Sequence, residues 1–316
     1  MSHLERRVTW GALICIGIAL LLLSGCKEDV GAGDTAWNEY VAPYRHSLEV
    51  EGLELHYIDI GRGKPLVLIH GFADSTYCFH ENLKPLVEAG YRVILIDQPG
   101  MGRSEIPSDD YTYSIENQAA GVAGLVEALG VDRYTIGGSS MGGGISLYLA
   151  LTKPESIERL ILFDPACFDL GRHGMMPFAE RPGLRDVIGA ATGRWAVGMA
   201  LQDVYYDRRK VTVELLDEYA RPLDKDGYRK ALIRLLTEYH SPRFKWMSMN
   251  YSALTKPTFI FWGRQDRWVP LEFGRRLNAA LPNSHLEIID KSGHLPHQER
   301  PELVNPLLLD FLRNGE

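Results

Sequence analysis

The sequence predicts an α/β fold: a mostly parallel, eight-stranded sheet with helices on both faces and a helical cap inserted between two late strands. Three observations carry that expectation. Short β-branched apolar runs alternate with stretches long enough for helices. The runs are continuous rather than alternating, as in strands covered on both faces. One long stretch, 167–253, breaks the alternation and contains no convincing strand. A chain of 316 residues with 45% apolar and 24% charged residues can bury a full core.

The N-terminus differs in kind from the rest. Arg6 and Arg7 precede an uncharged run from Val8 to Gly25 that ends in Leu23-Ser24-Gly25-Cys26. A charged start, an apolar stretch and a small-residue cleavage site are the layout of a secretory signal. With Cys following the small pair, residues 1–25 resemble a bacterial lipoprotein signal. That resemblance implies Cys26 as the acylated new N-terminus, a membrane contact through its lipid, and an exported, envelope-anchored protein. Lys27 then favours the outer membrane. Two plainer readings are a signal in which Cys26 is incidental, and an uncleaved anchor, for which the run is at the short end of ~17–25 residues. Residues 26–44, with Gly31, Gly33 and Pro43, have no sustained apolar period and read as a tether.

The fold is expected to begin near Arg45. Leu48 to Ile60 reads as a hairpin, followed by strands at Pro65 to His70, Tyr91 to Asp97, Arg133 to Gly138 and Ile157 to Asp164. Thr258 to Gly263 and His285 to Asp290 complete the sheet and flank a helical period from Leu271 to Leu281. The core is thus 45–166 and 254–316, with 167–253 as the cap. Aromatic residues recur along the cap from Phe178 to Tyr251. Most are expected to hold cap to core, and a few to wall an apolar pocket.

The sharpest chemical signal is Gly138-Ser139-Ser140-Met141-Gly142, between a strand and the helical run Gly143 to Thr152. A strained strand-to-helix turn needs small flanking residues, so Ser140 is the candidate nucleophile. Ser139 fails the pattern because Met141 would stand where the second glycine must be. Upstream, His70-Gly71-Phe72 can aim the Phe72 N–H at a developing oxyanion, and the Met141 N–H is the second donor. Downstream, Asp266 ends one strand and His294 follows the next. The order is Ser, Asp, His.

With Leu66 to Phe72, Asp97 to Ser104, the turn at Ser140, the Asp266 segment through Val269-Pro270, and Gly293-His294 in that order, the chain from about Leu48 to Leu312 resembles an α/β-hydrolase with an inserted cap. The resemblance implies Ser140 as nucleophile, His294 as general base then acid, Asp266 orienting the imidazole, and Phe72 and Met141 as oxyanion donors. A serine hydroxyl is a weak nucleophile that needs such a base. Asp164, which also ends a strand, is the alternative acid. His297 lacks a preceding glycine and reads as a supporting or surface residue, His70 as a brace for the oxyanion turn, and Asp97 as an organiser of the Pro99-Gly100 loop.

These readings lead to a carboxylic-ester hydrolase acting through an acyl-enzyme on a small-molecule ester, preferring short to medium acyl chains and needing no metal or organic cofactor. The rival within the fold is a carbon–carbon bond hydrolase of ring-cleavage products, which shares the Ser-Met-Gly-Gly elbow but often carries Trp where Leu295 follows His294. A non-catalytic ligand-binding protein is the alternative of a different class. A formal charge of -7 leaves no basic footprint for nucleic acid. Cys78 and Cys167 remain in the folded part, expected as free buried thiols, and no cysteines have zinc-ligand spacing.

Overall fold

A computed structural model describes residues 33–169, 193–239 and 243–314. Eight strands form one sheet: β1 (Arg45–Val50), β2 (Leu53–Gly61), β3 (Pro65–Ile69), β4 (Arg92–Ile96), β5 (Tyr134–Ser139), β6 (Ile157–Phe163), β7 (Thr258–Gly263) and β8 (Ser284–Ile289). Their spatial order is β1-β2-β4-β3-β5-β6-β7-β8. The first hairpin pairs antiparallel and joins β4 antiparallel, and every later pairing is parallel. The expected eight-stranded, mostly parallel sheet is the one observed.

The continuous apolar runs follow from burial on both faces. In β3, Val67 and Ile69 join one core while Leu66 and Leu68 join the other. In β4, Ile94 and Ile96 divide from Val93 and Leu95 in the same way. A strand with two dry faces has no position for a polar residue, so alternation disappears.

The N-terminal segment corrects the expected tether. Residues 27–32 lie outside the described part, but α1 (Thr35–Val41) is a helix with Trp37 and Val41 buried in the core. The Asp34 carboxylate caps it by accepting from the Trp37 N–H at 2.9 Å, and the Trp37 ring meets Tyr77 edge-on at 5.6 Å. Trp37, Tyr40 and Val41 have helical spacing, and Asp34 is a cap residue; the segment was too short for its period to register. Folded structure therefore begins before Arg45. The expected signal, residues 1–25, and the expected lipidation site Cys26 lie outside the described residues. Among the described residues no helix is long and apolar enough to cross a membrane.

Around the sheet lie α2 (Leu83–Glu88), α3 (Ile115–Ala128) and α4 (Met141–Thr152). Between β6 and β7 come the helices of the insertion, α5 (Arg194–Val204), α6 (Val213–Ala220), α7 (Tyr228–Glu238) and α8 (Arg243–Asn250), with no strand among its described residues. After β7 come α9 (Leu271–Ala280), α10 (Pro296–Glu299) and α11 (Pro301–Arg313). Cys78 and Cys167 are both free and buried.

Candidate active site

The parallel register brings the ends of β5, β6, β7 and β8 to one edge of the sheet. Ser140 follows β5 directly, with φ 51° and ψ -113°, a backbone region that a residue bearing a side chain enters only under constraint. Its N–H donates to the Phe163 carbonyl at 2.9 Å, and its carbonyl accepts from Ala166 at 2.8 Å and Gly144 at 3.1 Å. The glycines beside it are required by contact. A Cβ on Gly138 would lie 2.3 Å from the Gly142 carbonyl carbon, and one on Gly142 would lie 2.1 Å from the Ile69 oxygen. Ser139 points into the core, and its hydroxyl has no partner among the described residues.

The turn after β3 runs alongside. A Cβ on Gly71 would stand 3.3 Å from that of Ser140. His70 braces this turn: its Nδ1 bonds the Gly71 carbonyl at 2.7 Å, its Nε2 accepts from the Gln98 N–H at 3.1 Å, and the Gln98 amide donates to the His70 carbonyl at 2.6 Å. Among the described residues neither the Phe72 nor the Met141 N–H donates to another backbone oxygen. Met141 opens α4, where first-turn N–H groups have no partner within the helix.

Asp266 lies in the loop after β7, and its two oxygens are used differently. Oδ1 accepts from the N–H of Trp268 at 2.7 Å and of Val269 at 3.0 Å. Oδ2 bonds His294 Nδ1 at 2.7 Å, both side chains being essentially inaccessible to water. The structure thus pairs the two residues that sequence reasoning paired. The Trp268 ring lies against the imidazole, centroids 5.7 Å apart.

Asp164, the alternative acid, is beside them and not at Nδ1. It is fully buried with φ 41°, its Oδ1 accepts from the Gly263 N–H at 3.0 Å, and Oδ2 has no donor among the described residues. Ligating atoms of Asp164, Asp266 and His294 lie within 4.8 Å of one another. Within this cluster the Nδ1 of His294 is committed to Asp266.

The remaining predicted residues fall into supporting positions. His297 is fully buried, and burial, followed by the nearby His80 and His294, brings its imidazole down to about 3. Its Nε2 lies 3.4 Å from the Cys78 sulfur. For Asp97 burial acts upward, but the hydrogen bond and charge of His56 outweigh it and bring the carboxyl to about 2. It accepts from the N–H groups of Thr76 and Arg103, binding its loop as expected.

Cap aromatics mostly anchor. The Tyr239 hydroxyl donates to the Met141 carbonyl at 3.1 Å, Tyr219 to Asp74 at 3.0 Å and Tyr205 to Gln298 at 2.8 Å; Tyr251 donates to the Cys167 carbonyl. Phe178 lies outside the described residues.

One residue escaped sequence reasoning. Glu299, fully buried in α10, accepts from the N–H of Gly293 at 2.7 Å, Tyr206 at 3.0 Å and Asp207 at 2.5 Å. It ties the His294 turn to the cap. A Glu ahead of Arg300-Pro301 carries no local sign of this, because its partners come from remote segments.

Comparison with known proteins agrees with this geometry. Residues 64–301 match the family described as alpha/beta hydrolase fold. An uncharacterized hydrolase, YugF, of Bacillus subtilis is 33% identical over 87% of this chain and 100% of its own length. The 2-hydroxy-6-oxo-6-phenylhexa-2,4-dienoate hydrolase of Comamonas testosteroni is 30% identical over 82% of this chain and 91% of its own. Among solved structures, a meta-cleavage product hydrolase from Pseudomonas fluorescens IP01 superposes with a TM-score of 0.72 at 26% identity, covering 86% of this chain and 98% of that one.

Proposed function

Because the chain belongs to the alpha/beta hydrolase fold family, we propose that it is a serine hydrolase cleaving a carbon–carbon bond beside a ketone in a ring-cleavage product. This departs from the ester hydrolase expected on sequence. The observation that carries the change is similarity over 82–84% of this chain, at 30–33% identity, to hydrolases of hydroxy-oxo-dienoates. The Ser-Met-Gly-Gly elbow agrees with it.

In this reading the Ser140 hydroxyl attacks the ketone carbon as His294 takes its proton through Nε2, the nitrogen that Asp266 leaves free. The 2.7 Å bond from Asp266 to Nδ1 supports both tautomer and charge. The N–H groups of Phe72 and Met141 receive the developing oxyanion, a contribution of roughly 2.7–4 kcal/mol for one donor. For the bond to break, the dienol first ketonises, the 2-hydroxyl giving up its proton as C5 gains one. Cleavage of the C5–C6 bond then expels a carbanion delocalised through the C3–C4 double bond onto the C2 oxygen, and the proton taken from Ser140 quenches it. Water, activated by His294, hydrolyses the acyl group left on Ser140.

Carboxylic-ester hydrolysis is the second reading, favoured by Leu295 at the position after His294, where the carbon–carbon hydrolases often carry Trp. Both reactions pass through an acylated Ser140, so the substrate decides between them. The test is kcat/KM for 2-hydroxy-6-oxo-6-phenylhexa-2,4-dienoate, followed by loss of its absorbance, beside a chain-length series of p-nitrophenyl esters. The dienoate is expected to lead by at least about tenfold. An ester that leads by that margin reverses the assignment. Anchoring through acylated Cys26 is a separate proposal that rests on the sequence alone.

A further inference from the structure

The two strand-end carboxylates beside His294 differ in what surrounds them. Asp266 receives three donors: two backbone N–H groups on Oδ1 and the imidazole on Oδ2. A carboxylate offers about four lone-pair sites, so one on Oδ2 is left. Asp164 receives one donor, the Gly263 N–H on Oδ1. Its Oδ2 is buried without a donor, and the carboxyl stands within 4.8 Å of the Asp266 and His294 ligating atoms.

Two carboxylates this close in a dry site do not both ionise, and the charge settles on the one better supplied with donors. That is Asp266. An ionised Asp164 would leave a buried charge with a bare oxygen, a costly arrangement. A proton on Oδ2 removes the charge and turns the orphan acceptor into a donor for the vacant site on Asp266. From this geometry we infer that Asp164 is a carboxylic acid whose O–H donates to the Asp266 carboxylate, making it a positioning residue for the acid of the triad.

The electrostatics point the same way. Burial first, then the Asp266 charge and the hydrogen bond to it, push the Asp164 carboxyl well above the ordinary carboxylate range, and the Glu299 charge adds to the effect. The groups facing Asp164 are Asp266 after β7, His294 after β8 and Glu299 in α10. The strained backbone at Asp164, φ 41°, is held by its N–H to the Phe261 carbonyl at 3.0 Å as well as by Gly263. Only a glycine would adopt this backbone without strain, and a carboxyl buried there needs a polar partner for its second oxygen.

The role rests on Ser140, His294 and Asp266 acting as a triad, and holds whichever bond the enzyme cleaves. Asp164→Asn keeps an acceptor for Gly263 and a donor for Asp266, whereas Asp164→Leu keeps only the volume. With Asp164 neutral in the wild type, Asp164→Asn leaves the acid limb of the kcat/KM profile in place. Asp164→Leu lowers kcat by roughly tenfold or more with KM little changed, because the Asp266 carboxylate loses its fixed position. If Asp164 were ionised, Asp164→Asn would remove a negative charge next to the imidazole and move the acid limb down by about one pH unit or more. That movement, or full kcat in Asp164→Leu, overturns the inference.

Infrared difference spectra keep the test open if Asp164→Leu fails to fold. The wild type at neutral pH is expected to show a carboxylic-acid carbonyl stretch that Asp164→Asn lacks, and an unchanged spectrum sinks the idea. Ser140→Ala, assayed in parallel on the same substrate, reports separately on the triad: retained turnover there condemns the triad and leaves the infrared result to judge Asp164.

Discussion

The His294 N–H donates to the carbonyl of Val204 across 2.7 Å, so the turn that presents the imidazole is bonded to the last residue of a cap helix. Glu299 doubles the connection by accepting from Gly293 on one side and from Tyr206 and Asp207 on the other. The cap is therefore part of the frame that positions the His294 imidazole. A change in the backbone at Val204 to Asp207 reaches the His294 turn through the Val204 carbonyl and the Glu299 carboxylate.

Glu299→Gln tests that coupling. An amide has one acceptor oxygen where the carboxylate has two, so at least one of the three N–H groups loses its partner in a buried setting. The expected loss is roughly 2 kcal/mol of unfolding free energy in urea titration, since bonds to a charged acceptor are worth about 1.5–3 kcal/mol. Turnover should fall with it. Unchanged stability and unchanged kcat together would show that the cap and the His294 turn are not coupled through this carboxylate.

Ser140→Ala should be folded, with the melting temperature of the parent, and essentially without hydrolytic activity on any substrate of the parent. The elbow accepts a small side chain, as the contacts at Gly138 and Gly142 concern its neighbours. A fluorophosphonate probe should label the parent and not the variant. Labelling of the variant at another serine would reassign the nucleophile.

Asp266→Asn should cost about 10⁴ in turnover, because an amide facing Nδ1 favours the wrong imidazole tautomer. Asp164→Asn should cost far less, since Asp164 does not contact Nδ1 in the bonding pattern observed. Steady-state kinetics on the three proteins give the ranking. The reverse order would place the acid at the end of β6.

His297 makes stability depend on pH in a defined window. Its folded-state imidazole is depressed to about 3, from an ordinary 6.5, chiefly by burial. Between those values the unfolded chain binds a proton that the folded protein refuses, so stability falls as pH drops from 6.5 towards 3. His297→Gln, which keeps a donor for Cys78, should show a shallower fall over that window. Equal slopes in urea titrations of the two proteins would mean that His297 is protonated when folded.

Expressed in a bacterial host, the full chain should fractionate with membranes and incorporate labelled palmitate, and Cys26→Ser should lose both. Firm retention requires more than one acyl chain, since a single chain binds only marginally. A soluble parent protein whose N-terminus is some residue other than Cys26 would end the lipoprotein reading.

Much of this molecule was legible in the chain because the information is local. Two-faced burial writes itself as continuous apolar runs, and six of the strands, β3 to β8, could be placed from those runs, with β1 and β2 read as a hairpin. A nucleophile elbow needs glycines at fixed offsets from Ser140, because Gly142 packs against the Ile69 backbone and no side chain fits there. The helix at Thr35–Val41 was missed for the opposite reason. Seven residues carry too little period to register, and the burial of Trp37 against Tyr77 exists only after folding.

Sequence by itself determined the fold class and where the strands lie along the chain, and it singled out Ser140, Asp266 and His294 as candidates, since each of these rests on a local run or motif. Only the tertiary structure decided how Asp164 and Asp266 share the space beside His294, that Asp266 holds Nδ1, and that Glu299 joins the cap to the His294 turn. Those relations depend on the parallel register that brings the ends of β6, β7 and β8 together. Which carboxylate keeps its proton is set by the donors each one meets there, and two of these, His294 and Gly263, come from remote positions in the sequence.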